Sequence, residues 1–256
     1  MFVPILAYHK IQNNFDLSLN HITPGQFEKQ IKYLYLNGFT TISISEYIKN
    51  KSFDDKKVII TFDDGYVSVF EHALPILSKY KFTATIFVIS KYVGDWNKWD
   101  YNSSKFKTWH CNWEQLKILT SAGWEIGSHT MTHQNLKGLT KHQILCELKK
   151  SKNLIEKKLQ KPVNIISYPY GIFDQHIIEC VKMVGYQGGC TLGQNYPQNE
   201  IFPYALFRRG VYKLEPFKLF KLKLKNERWS HFDDIKQKII TYCSHGSILL
   251  RHVKSH

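Results

Sequence analysis

Short apolar runs alternate with amphipathic segments along most of this chain. Residues 58–62 are apolar and β-branched, which is typical of a buried strand, whereas Phe27, Ile31 and Leu34 recur at helical spacing. Strands that alternate with helices in this way predict βαβ units and a parallel sheet, and about seven or eight such units indicate a barrel. No linker and no internal repeat is visible in the sequence, so we expect a single α/β domain.

The apolar runs predict eight strands, at residues 3–8, 39–44, 58–62, 83–89, 124–127, 164–168, 185–192 and 205–212. Helices are expected between them, including one that is capped by Asn112 and one that begins with a capping box at Thr140 and Gln143. Pro75 is expected to kink a helix that covers residues 66–79.

The pattern weakens in the last part of the chain. Residues 217–224 alternate apolar residues with lysine, which fits either a strand or a basic helix. Residues 233–242 have a helical pattern, and residues 247–252 predict a last strand. We expect one domain over residues 1–256, in which segment 196–256 closes the barrel.

Composition limits the compartment and the partners. The formal net charge of +14 predicts a cationic surface, but no nucleic-acid-binding motif accompanies it, so we expect no nucleic-acid partner. The five cysteines are scattered and odd in number, which fits a reducing compartment. The N-terminal apolar run is too short for a signal peptide, and no run approaches the ~20 apolar residues of a membrane span. We expect a cytoplasmic protein without an obligate protein partner, whose lysine-rich residues 217–225 contact an anionic membrane surface.

Polar side chains follow three of the predicted strands, where the active sites of parallel α/β folds usually lie. Asp63 and Asp64 follow one strand, and His129 and His133 follow another. If residues 129–133 form a helical turn, both imidazoles face the same way and can share one metal ion with a carboxylate. Two His and one carboxylate suit several divalent metals, and we expect Zn, with Co, Ni or Mn as alternatives.

Three motifs together resemble the polysaccharide deacetylases, the fourth family of carbohydrate esterases. They are Thr61-Phe62-Asp63-Asp64-Gly65, Ser128-His129-Thr130-Met131-Thr132-His133 and Tyr168-Pro169-Tyr170-Gly171, and the resemblance covers about residues 3–195. It implies a distorted, incomplete (β/α)7–8 barrel. It also implies a metal-dependent hydrolase that removes an N-acetyl group from an amino sugar of the N-acetylglucosamine type.

The resemblance also implies a role for individual residues. Asp64, His129 and His133 match the three metal ligands, and Asp63 matches the general base that activates water. Tyr170 matches the residue whose backbone N–H stabilises the oxyanion. We expect the neighbouring Tyr168 and Pro169, together with Arg208 and Arg209, to belong to the substrate-binding region.

The chain departs from the family pattern at one position and offers two candidates at another. Ser167 stands where many members carry an arginine that orients the base, and Arg208 or Arg209 could supply that charge. The general acid is expected to be a histidine. Leu250-Arg251-His252 resembles the usual motif, whereas Leu6-Ala7-Tyr8-His9 resembles the subgroup that acts on poly-N-acetylglucosamine, so we favour His9 over His252.

Other functions compatible with the sequence are kept as alternatives. The same water-activating site would serve an O-acetyl esterase or a deacylase of a lipid-linked amino sugar. A sugar-binding protein without activity is a further alternative, but the intact Asp63, Asp64, His129 and His133 argue against it.

Overall fold

The computed structural model describes residues 3–13, 20–50, 53–98, 107–192 and 202–225. The strands are β1 (Ile5–Tyr8), β2 (Lys10–Ile11), β3 (His21–Ile22), β4 (Thr40–Thr41), β5 (Lys57–Phe62), β6 (Thr85–Val88), β7 (Glu125–Ser128), β8 (Ile165–Ser167), β9 (Gly188–Leu192) and β10 (Leu206–Gly210).

Seven parallel strands form a closed barrel, which confirms the fold class predicted from the sequence. The ring order is β1-β10-β9-β8-β7-β6-β5, and it closes because β1 pairs with both β10 and β5. β4 pairs with the first residues of β5 as an additional strand, and β2 pairs with β3 in a separate ribbon.

The helices are α1 (Pro24–Leu36), α2 (Ile44–Lys49), α3 (Leu74–Lys79), α4 (Trp113–Ser121), α5 (Lys141–Leu159), α6 (Gln175–Met183) and α7 (Phe217–Leu222). The predicted caps of α4 and α5 are confirmed, because Asn112 and Thr140 each accept a hydrogen bond from a backbone N–H of the first turn. Within the described ranges, no helix is both long and apolar enough to cross a bilayer.

Two apolar layers hold the barrel together. The outer layer contains helix residues such as Phe27 and Ile31 of α1, which are fully buried against the strands. The inner layer contains one residue from each of six ring strands: Ile5, Ile59, Phe87, Ile165, Cys190 and Leu206. Because side chains alternate along a strand, residues two or four positions beyond these also face the barrel interior, nearer its carboxyl edge.

Three local predictions need correction. The strand expected at residues 39–44 is reduced to β4, because Ser43 accepts from the Glu46 N–H and starts α2. Pro75 does not kink a continuous helix but lies in the first turn of α3, directly after a π-helical stretch at Val69–Ala73. Residues 217–222 are helical, so the strand alternative for segment 217–224 was wrong. The elements predicted at 233–242 and 247–252 lie outside the described residues.

Candidate active site

The strand register brings the sequence motifs to one edge of the barrel. Tyr8 of β1 pairs with Phe62 of β5, so the next residues, His9 and Asp63, are neighbours at the end of the ring. The β7–β8 pairing of Ser128 with Ile166 brings His129 beside Ser167 in the same way. The carboxyl ends of parallel strands therefore assemble the site, as in other α/β barrels.

Asp64, His129 and His133 form a compact cluster that could hold a metal ion. Their ligand atoms lie within 4.8 Å of one another, and all three residues are buried. The Nε2 atoms of the two histidines are 3.1 Å apart, and Asp64 Oδ1 lies 3.5 Å from His129 Nε2 and 3.8 Å from His133 Nε2. A three-ligand set of this kind leaves coordination positions open for water or substrate.

The hydrogen bonding of His129 fits metal binding. Its Nδ1 lies 2.8 Å from the carbonyl oxygen of Ser167, and because a carbonyl only accepts, Nδ1 carries the proton. Nε2 then presents its lone pair to the cluster, which is the orientation that second-shell contacts give to metal-binding histidines. Burial lowers the pKa of His129, with the charge of Asp63 acting in the opposite direction, so the imidazole is held in the neutral form.

The two histidines converge without the helical turn that the spacing suggested. Residues 129–133 form an irregular loop in which Thr130 and His133 adopt positive φ angles of 65° and 60°. Thr130 Oγ1 accepts from the His133 N–H at 3.0 Å, and Glu147 of α5 accepts from both the N–H and the hydroxyl of Thr132 at 2.8 Å. Polar contacts from within the loop and from α5 therefore hold this conformation.

Asp63 is bound by a fully buried arginine from β10. Arg208 donates from Nη1 to Asp63 Oδ1 at 2.7 Å and from Nη2 to Oδ2 at 2.8 Å. The same guanidinium donates to Thr61 Oγ1 at 3.1 Å and to Ser167 Oγ at 2.7 Å. Burial raises the pKa of Asp63, but the charge and hydrogen bonds of Arg208 outweigh it, and the net pKa lies well below its ordinary value.

Arg209 has a different environment, so the two arginine candidates are separated. It lies on the opposite face of β10 and donates to the carbonyl oxygens of Lys223 and Lys225 at the end of α7. It holds α7 on the barrel and is not the residue that neutralises Asp63. Neither arginine is more than 7% exposed. Arg208 and Arg209 thus both bind the protein itself.

His9 is the candidate acid that the structure describes. Its Nε2 lies 4.0 Å from Asp63 Oδ2, and its side chain is 15% exposed. Burial lowers the pKa of His9 to about 4, against the opposing charge of Asp63. His252, the other candidate, lies outside the described residues.

The third motif forms a tight turn beside the cluster. Tyr170 has a φ of 60°, and its ring packs edge-on against that of His133 at 4.7 Å. Gly171 follows at a φ of 68°, where a Cβ would meet the Leu192 carbonyl oxygen at 2.6 Å. Tyr168 and Pro169 are buried, and the Tyr168 hydroxyl donates to the Tyr204 carbonyl at 2.8 Å. In this structure the buried Tyr168 therefore anchors the turn to the protein interior.

The fold and the cluster define a class of protein, a parallel α/β barrel with a candidate metal centre at the carboxyl edge of its strands. The model of the polysaccharide deacetylase family matches residues 50–189, which is more than half of the chain, and the chain belongs to this family. Membership makes it a hydrolase that removes acetyl groups from a carbohydrate.

Individual relatives agree with this assignment. The chain is 34% identical over 213 residues to YxkH of Bacillus subtilis (strain 168), whose name assigns it provisionally to the polysaccharide deacetylases; the match covers 82% of this chain and 71% of that protein. It is 29% identical to a poly-β-1,6-N-acetyl-D-glucosamine N-deacetylase of Staphylococcus aureus (strain MRSA252), over 73% of this chain and 71% of that protein. The fold is similar to that of the deacetylase PplD of Streptococcus pyogenes, with a TM-score of 0.76 at 23% identity over 87% of this chain and 98% of that chain.

Proposed function

We propose that this protein removes the N-acetyl group from an N-acetylglucosamine-type amino sugar within a glycan or glycan precursor. The observation that carries the proposal is the Asp64–His129–His133 cluster directly beside the arginine-bound Asp63. The 29% identity to an enzyme named for N-deacetylation of poly-β-1,6-N-acetylglucosamine supports an amide as the substrate.

Asp64, His129 and His133 would hold one divalent metal, with Zn expected first and Co, Ni or Mn as alternatives. Such a metal would act as a Lewis acid and would lower the pKa of a water molecule that it binds. The protein contributes two buried imidazoles, of which that of His129 is held neutral, and one carboxylate, so the ligands need little rearrangement to bind a cation.

Asp63 would act as the general base. Each of its oxygens accepts one hydrogen bond from Arg208 and keeps a second lone pair, which can accept a proton from the attacking water. Arg208 also keeps the carboxylate ionised in spite of its burial. The charged pair therefore maintains a proton acceptor at the pH of the cell.

His9 would donate the proton that the leaving amine needs. The low pKa of His9 keeps the resting imidazole neutral, so it must gain a proton during the reaction. Asp63 Oδ2, at 4.0 Å from His9 Nε2, is a suitable source for the proton taken from water. Hydrolysis then joins the water oxygen to the acetyl carbon and breaks the C–N bond, while His9 protonates the departing nitrogen. The backbone N–H of Tyr170 would stabilise the negative charge on the acetyl oxygen.

Two variants of the substrate need to be separated by experiment, namely an O-acetyl ester and a lipid-linked amino sugar. Chelator-treated protein is reloaded with Zn²⁺ and incubated separately with three substrates. They are N-acetylglucosamine oligomers, a lipid-linked N-acetyl amino sugar and an O-acetylated oligosaccharide that contains no amino sugar. Mass spectrometry should show metal-dependent loss of an acetyl group from the N-acetylated oligomers or from the lipid-linked amino sugar, and the one that is deacetylated faster identifies the substrate class. Loss of acetyl groups from the O-acetylated sugar alone would contradict the N-deacetylase proposal.

Contact with an anionic membrane surface is a further part of the proposal, and α7 supports it. Lys218 and Lys221 of α7 are exposed and Leu222 is 38% exposed, whereas Lys223 is buried against Glu215. Basic residues near an anionic bilayer contribute roughly 1 kcal/mol each, so a lysine-rich helix with an exposed leucine suits peripheral contact. A cytoplasmic location would then favour a lipid-linked precursor over an exported polymer.

A further inference from the structure

The backbone that follows the metal-ligand candidate Asp64 is paired with a distant segment of the chain. The Val67 N–H donates to the Trp109 carbonyl at 2.9 Å, and the Cys111 N–H donates to the Gly65 carbonyl at 2.8 Å. An antiparallel bridge joins Tyr66 to His110 between these two bonds. Residues 109–111 therefore form a clamp across the turn that carries Asp64.

The clamped turn has a backbone conformation that L-residues rarely adopt. Asp64 and Gly65 have consecutive positive φ angles of 68° and 72°. Most residues with a Cβ avoid the left-handed region, and aspartate tolerates it better than most of them. A conformation of this kind persists where surrounding contacts impose it, and such positions cluster at functional sites.

His110 contacts the metal-ligand candidate Asp64 directly. Its Nδ1 lies 2.7 Å from the Asp64 carbonyl oxygen, and since that oxygen only accepts, Nδ1 is the donor. The imidazole is 4% exposed and stacks on the Tyr66 ring at a centroid distance of 4.9 Å and an interplanar angle of 18°. The backbone N–H of His110 donates in turn to the Asp95 carbonyl oxygen at 2.9 Å, which fixes the position of His110.

We infer that His110 is a positioning residue for the metal centre, which fixes the Asp64 carboxylate by holding its backbone carbonyl. The inference rests on the proposed metal site. His110 does not belong to the ligand cluster, so it acts through Asp64 and not on the metal. In this arrangement the Nδ1–H bond selects the left-handed state of Asp64 before metal arrives, and loss of the donor lets the carboxylate leave the cluster. Second-shell partners of this kind typically change metal affinity 10–100-fold when they are removed.

Two substitutions separate the hydrogen bond from the packing. His110→Phe keeps a flat ring for stacking on Tyr66 and removes the donor. His110→Asn removes the ring but places an amide N–H at the position of Nδ1, two bonds from Cβ. His110→Gln places its amide nitrogen one bond further away and serves as an additional variant. His176→Phe is the matched control, because it removes an exposed histidine of α6.

The measurement is the Zn²⁺ affinity of the full, chelator-treated chain, determined by competition with a chromophoric chelator, together with the thermal midpoint of each metal-free protein. We expect His110→Phe to weaken Zn²⁺ binding by about 10–100-fold, with His110→Asn and His176→Phe close to wild type. We expect the thermal midpoint of His110→Phe to lie above that of His110→Asn, because phenylalanine keeps the stacking on Tyr66. The order of the thermal midpoints is then the reverse of the order of the Zn²⁺ affinities.

The outcomes distinguish this inference from the metal site on which it rests. Wild-type affinity in a folded His110→Phe protein would overturn the positioning role while the metal centre stands. If Zn²⁺ affinity instead follows the thermal midpoints, so that His110→Asn is weakened at least as much as His110→Phe, His110 acts through packing alone. If His129→Ala binds Zn²⁺ as tightly as wild type, the proposed metal centre fails and the inference fails with it.

Discussion

Replacing Arg208 with methionine tests the electrostatic design of the site. Arg208 is fully buried, and both of its terminal nitrogens bind Asp63, which is itself 2% exposed. Methionine fills much of the same volume without a charge, so the substitution leaves a buried carboxylate without its counter-ion. Breaking a buried ion pair from one side typically costs about 3–5 kcal/mol of stability, and we expect a loss of this size.

The pH dependence of the loss follows from the sign of the shift in the pKa of Asp63. In the wild type the folded pKa lies below the unfolded value, so the contribution of Asp63 is present above the unfolded pKa of about 4 and is lost as pH falls. Without Arg208, burial raises the folded pKa above the unfolded value. The variant therefore loses stability as pH rises above about 4. The difference between wild type and Arg208→Met should grow from pH 5 to pH 8.

Urea denaturation of the metal-free proteins at these two pH values measures the free energy of unfolding. Asp63→Asn combined with Arg208→Met completes a double-mutant cycle, in which Arg208→Met should cost much less than in the wild-type background. A loss below about 1 kcal/mol, or an equal loss in both backgrounds and at both pH values, would refute the reasoning.

Three further predictions concern the reaction and its location. Asp63→Asn should retain the metal and lose ~10²–10⁴ in turnover, and loss of the metal as well would show that Asp63 and Asp64 have been exchanged in the assignment. His9→Ala should reduce turnover of an amide far more than His252→Ala does. His9→Ala should reduce turnover of an activated ester much less than that of an amide, because a good leaving group needs little protonation. A larger loss of amide turnover in His252→Ala than in His9→Ala would make His252 the acid. In liposome flotation the protein should bind anionic vesicles at low salt and be released at higher salt, and absence of binding at low salt would favour a soluble or polymeric substrate.

The sequence was most informative where a local pattern and a strand end coincide. The apolar run before Asp63 and Asp64 has the length and composition of a buried strand, and β5 ends at Phe62 as that pattern requires. The caps of α4 and α5 were equally predictable, because a capping box is a local signal that needs no tertiary contact.

The sequence was least informative where distant contacts decide the outcome. It offered Arg208 and Arg209 as equal candidates, because only the register of β10 against its neighbours determines which one faces the barrel interior. The positive φ angles of Thr130 and His133 are imposed by contacts that include Glu147, and the spacing of the histidines alone suggested a helical turn. No sequence motif marks His110, since its partner is a backbone carbonyl 46 positions away and leaves no pattern in the sequence.

The metal content of purified protein tests whether Asp64, His129 and His133 form a metal centre. Elemental analysis of the wild type and of His129→Ala, after loading with Zn²⁺ and removal of excess metal, measures how many ions each chain retains. We expect one divalent ion per wild-type chain and its loss in His129→Ala, since that histidine contributes one of three buried ligands. A full equivalent of metal in His129→Ala, or none in the wild type, would contradict this expectation.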